Sequence, residues 1–382
     1  MTGKTAIVVG GGIAGLATAA GLNQRGWTVT LLEQAAEFGA VGAAIALWPN
    51  ALRALDEVGA LDKLGGERVA AAGGVRDWHG RWIVRQQDPR DALAEVAVPH
   101  RAELMDALLS QVPADIRVTG VRVREVRIDG RHAVVRHDGG ELTADLVVGA
   151  DGLRSVVRTS LWPNPPALAY SGQTVWRVVL PRPATLSAAE VSWTETWGPG
   201  GVFGVFPMPG DRLYCYGTAS VPAWGQSPDG ELAEFRRRFA DWCHPIPAIL
   251  AAAEPEQVLR NDLFYLPKLS TFTQGPVALV GDAAHAMVPY LGQGGCQGLE
   301  DAATLVVLAD SEPDLAAALR RYDRLRRPRS QRVWSMSRAT GRGTHVRSAA
   351  LRALRDAVLR ALPPSIALSS TSSLFDWRPP AA

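Results

Sequence analysis

The sequence predicts an α/β protein in which a mostly parallel sheet is interrupted by an antiparallel one and followed by helices. Three observations carry that expectation. A β-branched apolar run, Thr5 to Val9, meets Gly10-Gly11-Gly12-Ile13-Ala14-Gly15 and then a helical apolar period. Two more short apolar runs, Asp145 to Gly149 and Pro276 to Val280, lead into Asp151-Gly152 and Gly281-Asp282, as expected of buried parallel strands. Between them, residues 171–268 are rich in Trp, Pro, Gly and β-branched residues at strand spacing.

Taken in order, Thr5 to Val9 is a strand, and Leu16, Ala19, Ala20 and Leu22 recur at helical spacing. Gly26 stands where a helix C-terminus favours glycine, and Thr28 to Leu32 is a second strand ending at Glu33. Together these make a unit of about 30 residues, the size of a βαβ module. Residues 51–65 predict a helix, Val69 to Val98 short alternating stretches around Trp78 and Trp82, and Val98 to Leu109 a helix after Pro99. Ile116 to Ile128 and Ala133 to His137 predict a hairpin. Further helices are expected near 229–243, 298–309 and 314–342, and a loosely packed Pro/Ser-rich tail over 363–382. The nucleotide-type domain is therefore discontinuous: 1–70 with 99–170 and 269–310. Residues 71–98 with 171–268 form the second domain, and 311–382 the closing helices and tail. No internal repeat is evident.

The 382 residues are 47% hydrophobic and 20% charged, which suits a buried core and more than one domain. A net charge of +2 offers no basis for binding by phosphate neutralisation, so no nucleic-acid partner is expected. Cys215, Cys243 and Cys296 are odd in number, far apart and without metal-ligand spacing; no metal is expected and a reducing compartment suits the chain. The run from Met1 to Val9 is too lightly charged for a secretory leader. No apolar stretch approaches the roughly 20 residues of a membrane span. A cytoplasmic protein with no integral membrane segment is expected.

The glycine motif follows a strand, opens a helix and has an acid, Glu33, 18 residues after Gly15, which is the context of a dinucleotide site. Gly10 permits the tight turn, Gly12 lets a pyrophosphate approach the backbone, and Gly15 allows close helix–strand packing. The helix N-terminus presents unpaired N–H donors to the phosphates. Glu33 can accept from ribose hydroxyls and would repel a 2′-phosphate.

Two further segments extend the pattern: Asp145 through Asp151-Gly152 to Arg154, Ser155 and Arg158, and Gly281-Asp282-Ala283-Ala284-His285 through Pro289-Tyr290 and Gly292-Gln293-Gly294-Gly295-Cys296 to Glu300-Asp301-Ala302. With the first motif, Tyr170-x-Gly172 and a late Arg-rich helix, the chain resembles, over nearly its whole length, the single-component FAD-dependent aromatic hydroxylases. These are the class A flavoprotein monooxygenases of the p-hydroxybenzoate hydroxylase superfamily. The resemblance implies a Rossmann-like FAD-binding domain, an inserted mostly antiparallel β-sheet substrate domain and a C-terminal helical region. It implies non-covalent FAD, NADH or NADPH as a transient co-substrate, O2, and hydroxylation of a small aromatic substrate through a flavin C4a-hydroperoxide, in a monomer or homodimer. An epoxidase, a Baeyer–Villiger monooxygenase or a non-catalytic flavin-binding module would share these motifs.

The resemblance also assigns residues. Gly10, Gly12, Ala14 and Gly15 match the pyrophosphate turn, with Glu33 and Gln34 at the adenosine end. Asp282 stands at a strand's C-terminal end, where ligands collect in open α/β sheets, and matches the aspartate of the ribityl chain. Gly292, Gln293, Gly294, Gly295 and Cys296 open a helix whose N–H groups would meet the pyrimidine side of the flavin. Many relatives carry Asn where this chain has Cys296, so only the main-chain contact transfers. Arg101 matches an arginine reaching the FAD, Val123 a strand position beside the adenine, and Ala46 a segment passing the flavin. Asp151 and Arg158 are expected to be structural around the pyrophosphate, and His285 a structural residue of its turn.

The substrate candidates are Trp176, Trp193, Trp197, Val202, Phe206, Tyr214, Pro289 and Tyr290, although most aromatics of this domain are expected to be sheet core. Val202, Gly204 and Phe206 alternate onto one strand face, Tyr214 and Tyr216 onto another. Tyr214 and Arg177 are the catalytic candidates: a phenol can fix or deprotonate a substrate hydroxyl, and a guanidinium can orient substrate or NAD(P)H. The first 65 residues, especially Val41 to Asn50, look closest to the urate hydroxylase branch. That branch carries arginine at the position of Val202 and aspartate at that of Tyr290, and shares the tyrosine at Tyr214. The two losses imply a larger, more apolar aromatic than urate.

Overall fold

The computed structural model describes residues 4–39, 42–65, 68–70, 73–85, 95–225, 227–362 and 373–381. Five short strands run parallel in a six-stranded sheet: β1 (Thr5–Val9), β2 (Thr28–Leu32), β7 (Arg117–Val118), β11 (Leu146–Gly149) and β18 (Val277–Leu279). The order is β17-β18-β11-β1-β2-β7, with β17 (Thr273–Gln274) antiparallel at one edge. The apolar runs are continuous because helices cover the strands: β11 and β18 are buried at every position. Helix α1 (Ile13–Gln24) links β1 to β2, and α8 (Gly294–Ser311) packs across it, with Gly298 and Gly281 both against Ala14.

Several boundaries differ from expectation. Helix α2 spans Pro49–Glu57 and gives way to a 3₁₀ turn at Leu61–Lys63, rather than continuing over 51–65. Helix α3 (Arg101–Leu109) starts after the expected Val98, where Glu103 reaches back to the His100 N–H at 2.9 Å. The expected hairpin is a three-stranded meander: β8 (Val123–Asp129), β9 (His132–His137) and β10 (Gly140–Ala144). Residues 117–118 instead pair with β2, so Ile116 is not part of that hairpin. Helix α4 (Val156–Leu161) packs on β8.

A seven-stranded sheet follows the order β16-β12-β15-β14-β13-β4-β5. Its strands are β4 (Gly73–Asp77), β5 (Trp82–Arg85), β12 (Ala169–Pro181), β13 (Trp193–Gly198), β14 (Gly201–Met208), β15 (Arg212–Ser220) and β16 (Leu259–Tyr265). Only the β4–β13 pairing is parallel. Two residues each of β3 (Val69–Ala70) and β6 (Glu95–Val96) pair antiparallel as a separate two-stranded sheet. The helix expected near 229–243 is shorter, α5 (Glu231–Phe239), and a second, α6 (Ile246–Ala252), begins past Pro245, which cannot continue a helix. Both cover one face of the sheet and close a separate apolar core with Phe203, Phe235 and Phe239.

Helix α7 (Asp282–His285) is one turn, α9 (Leu315–Thr344) crosses α8, and α10 (Ala349–Ala361) packs beside β5. Residues 363–372 of the expected loose tail lie outside the described residues. The part that is described is docked: Phe375 stacks on Trp48 at 4.4 Å between centroids, and Arg53 and Arg329 donate to the carbonyls of Trp377 and Leu374 at 2.7 Å each. Among the described residues no helix is long and apolar enough to cross a membrane.

Candidate active site

The six-stranded sheet brings three glycine-bearing turns together at the C-terminal ends of β1, β11 and β18. Gly10, at φ +104°, donates to Leu32 O at 2.8 Å, and a Cβ at Gly15 would fall 1.9 Å from Gly10 O. The turn and the helix therefore close on each other with no room for a side chain. Glu33 accepts from Gly11 N at 2.7 Å and Ala35 N at 2.8 Å, so it braces this turn. Gln34 beside it is exposed. Val123 begins β8 and is buried.

Gly12 caps α1 without a side-chain bond, and the N-cap of α8, Gln293, makes none either. Neither first turn contains an acid. Each helix therefore presents its first N–H groups and the positive end of its dipole to an external acceptor. Ala14 seats its methyl against Gly281 and Gly298, which places the Asp282 turn at the mouth of α1. Asp282 is exposed to this groove, yet enclosed enough that burial pushes its carboxyl above the usual carboxylate range, opposed by His285 and Arg101. Burial in turn lowers Arg101, which Asp282 favours and Arg177 opposes. An anion-binding pair of helix ends, a cation and an acceptor carboxylate line one groove. That donor set fits a dinucleotide with a ribityl chain.

Gly292 turns the chain under the Trp48 indole, 3.1 Å from where its Cβ would stand, and that indole N–H has no partner among the described residues. Ala46 lies beside the same turn: Cys296 Sγ contacts the carbonyls of Ala46 and Gly292, both at 3.5 Å. The Cys296 thiol is fully buried and pushed up to about 12, so it packs rather than reacts. The Gln293 side chain turns away, accepting from Asn50 at 3.0 Å in the interior.

Sequence reasoning assigned no role to Glu300 or Asp301 and missed Arg326. Arg326 is 1% exposed and donates to Asp301 at 2.7 Å and to Glu300. Asp301 also holds His285 at 2.5 Å and Gly281 N at 2.9 Å, and Arg329 adds two bonds to Glu300. The network fastens the Asp282 turn to α8 and α9. Arg158 does the same for the middle motif, donating at 2.8 Å to both Leu153 O and Ala283 O. Asp151 caps α4 through Val156 N at 2.7 Å.

Across the groove stands the face of the seven-stranded sheet that α5 and α6 do not cover. Register aligns its side chains in rows. Trp193 neighbours Phe206, Tyr214 and Val179; Trp197 aligns with Val202, Thr218 and Val175; and between them Glu195, Gly204, Tyr216 and Arg177 form a row of their own. Val202, Phe206, Tyr214 and Tyr216 thus share a face instead of lying apart. Phe206 stacks with Tyr214 at 6.0 Å and Tyr216 at 5.6 Å, and Trp193 meets Phe206 at 4.4 Å and Trp48 at 6.0 Å.

Trp176 is corrected. One residue out of phase with Arg177, it points to the opposite face, is 1% exposed, packs on Phe235 and donates to Glu231 at 2.7 Å. Arg177 is close enough for its charge to bear on the Tyr214 hydroxyl, while its guanidinium donates to the Asn261 side chain. Burial outweighs that cation and pushes Tyr214 up to about 12. Tyr290 packs on Gly341 and donates to Gln173 at 2.6 Å; Pro289 before it is exposed. At the edge His345 Nε2 meets Thr218 at 2.9 Å. Among the described residues no His, Cys, Asp and Glu cluster could hold a metal.

Comparison with known proteins agrees with this geometry. A family model described as FAD binding domain matches residues 4–337. The chain is 36% identical over 337 residues to an aurachin C monooxygenase/isomerase of Stigmatella aurantiaca, covering 85% of each. It is 31% identical to an FAD-dependent urate hydroxylase of Klebsiella pneumoniae, covering 83% of this chain and 84% of that one. The crystal structure of Klebsiella pneumoniae HpxO complexed with FAD and uric acid superposes with a TM-score of 0.88 at 27% identity, covering 97% and 96%.

Proposed function

Since this chain belongs to the FAD-binding-domain family and is an FAD-dependent aromatic monooxygenase of the p-hydroxybenzoate hydroxylase superfamily, we propose that its substrate is a flat aromatic larger and less polar than urate. NADH or NADPH and O2 complete the reaction. The observation that carries this reading is the row of Trp193, Phe206 and Tyr214, which faces the groove beside Trp48 and Gly292. At the two positions where the urate branch has charges, this chain has buried Val202 and a Tyr290 whose hydroxyl is already spent on Gln173.

Bound FAD supplies the hydride acceptance and oxygen activation that side chains lack. The N–H groups opening α1 at Gly12, Ala14 and Gly15 would hold its pyrophosphate, with Gly10 shaping the turn and Arg101 supplying charge. Glu33, Gln34 and Val123 would stand at the adenosine end and Asp282 at the ribityl chain. Ala46 and residues Gly292, Gln293, Gly294, Gly295 and Cys296 would border the ring. Tyr214 keeps its proton on Oη at neutral pH, so it donates to a substrate oxygen and does not act as a base. The charge of Arg177 bears on that hydroxyl, and the aromatic wall orients the ring and excludes water. On this reading 1–70, 99–170 and 269–310 make the cofactor domain, 71–98 and 171–268 the substrate domain, and 311–382 the closing helices and tail. The enzyme is cytoplasmic, a monomer or homodimer. Purified yellow protein, titrated with indoles, polycyclic phenols and urate, tests this. Perturbation of the flavin spectrum and NAD(P)H oxidation by the apolar rings are expected; tight urate binding with no response to them would end it.

A further inference from the structure

The central row of the open face has a feature that neither flanking row shares. Glu195 and Tyr216 belong to strands separated by β14, at the height of Gly204. Two strand spacings, roughly 10 Å, normally keep such side chains apart. Here the position between them carries no side chain. The Tyr216 ring fills that gap, 2.4 Å from where a Gly204 Cβ would stand, and its hydroxyl donates to Glu195 Oε1. The other oxygen, Oε2, accepts from Trp197 Nε1 at 2.9 Å. A carboxylate has about four acceptor sites, so these two donors leave half of them unused.

We propose that Glu195 is a specificity-determining residue that accepts a hydrogen bond from a ring N–H or O–H of the substrate. The assignment rests on the open face being the substrate face. Glu195 keeps accessible surface there, and its hydrogen-bond partners among the described residues, Tyr216 and Trp197, are both uncharged. Its lining is aromatic on three sides: Trp193 and Trp197 on its own strand, Tyr216 across the gap. Burial without a cation pushes its carboxyl above the usual range. A carboxylate-bearing ring would therefore meet an uncompensated acid, whereas an uncharged donor completes its shell. Tyr216 and Trp197 fix the orientation of the carboxyl, which makes them positioning residues.

Flavin-difference titrations of the FAD-loaded enzyme with two matched pairs test this: indole against 1-methylindole, and 2-naphthol against 2-methoxynaphthalene. Wild type should bind the donor of at least one pair roughly tenfold more tightly, the weight of one hydrogen bond to a carboxylate. The pair that discriminates tells a nitrogen donor from an oxygen donor. Glu195→Gln and Glu195→Leu should keep their flavin absorbance and bring both pairs within about twofold, since the acceptor is lost or halved. Gly204→Ala, which displaces both Tyr216 and Phe206, should also reduce discrimination. Equal affinity within both pairs in wild type, or unchanged discrimination in Glu195→Leu, overturns the assignment while leaving the aromatic reading intact. No response to any of the four compounds overturns the aromatic reading and this inference with it.

Discussion

The two faces of the seven-stranded sheet are made by alternate residues of the same strands, and they are opposite in character. The covered face takes Trp176, Val178, Phe203, Val205, Leu213 and Cys215, all no more than 1% exposed, and seals them under Phe235, Phe239 and Ile249. The open face takes Arg177, Glu195, Tyr214, Tyr216 and Thr218 among aromatic rings. Period-two alternation lets one sheet be a dry core and a chemical surface at once. Loss of a buried ring should therefore cost most stability on the covered face, and loss of a side chain should cost most ligand recognition on the open one.

The largest expected effect is on the covered face. Phe235→Ala removes a fully buried ring and should cost about 3–5 kcal/mol in denaturant unfolding of the FAD-loaded protein. Aromatic ligand affinity measured on the surviving folded protein should stay within about twofold; a large loss would break the comparison.

His345 tests the open face through pH. Burial lowers it from 6.5 to about 4. Between those values the unfolded chain binds more protons, so the stability that comes from neutral His345 is full above 6.5 and is lost as pH falls towards 4. The contribution is at most about 3 kcal/mol. His345→Gln should flatten that part of the stability–pH curve; an unchanged slope would place the titration elsewhere.

Trp193→Ala should weaken aromatic binding about tenfold or more, as loss of a large ring from a recognition surface does. Its Trp176 counterpart sharpens the contrast: Trp176→Phe should destabilise by about 1 kcal/mol and leave ligand affinity alone. Tyr214→Phe should change stability by less than about 1 kcal/mol while slowing turnover. Because wild-type Tyr214 is pushed up to about 12, no rate change between neutral pH and mild alkali should be traceable to it. An alkaline limb abolished by Tyr214→Phe would show a phenolate base.

These contrasts also mark what the chain discloses on its own. The three turns were legible because backbone geometry dictates residue type: only glycine fits at Gly10 and Gly15, where a Cβ would meet backbone. Trp176 was misplaced because alternation defines two faces without saying which one helices cover; α5, reaching it from Glu231 55 residues on, and α6 beyond it decide that. Glu195 was missed for a related reason. Its partner Tyr216 is two strands distant, and Gly204 reads as an ordinary strand glycine until register aligns the three. Arg326 lies 26 residues from Glu300 on another helix, and Phe375 reaches Trp48 from the far end of the chain. Such contacts depend on packing, not on local pattern.

The central claim is that the open face presents an aromatic ring to a flavin held by the three turns. Turnover under isotopically labelled O2, with an aromatic that perturbs the flavin spectrum, tests it most directly by product mass. One labelled oxygen atom on the ring is the expected result. NAD(P)H consumed with no labelled product from any spectrally active aromatic would contradict it.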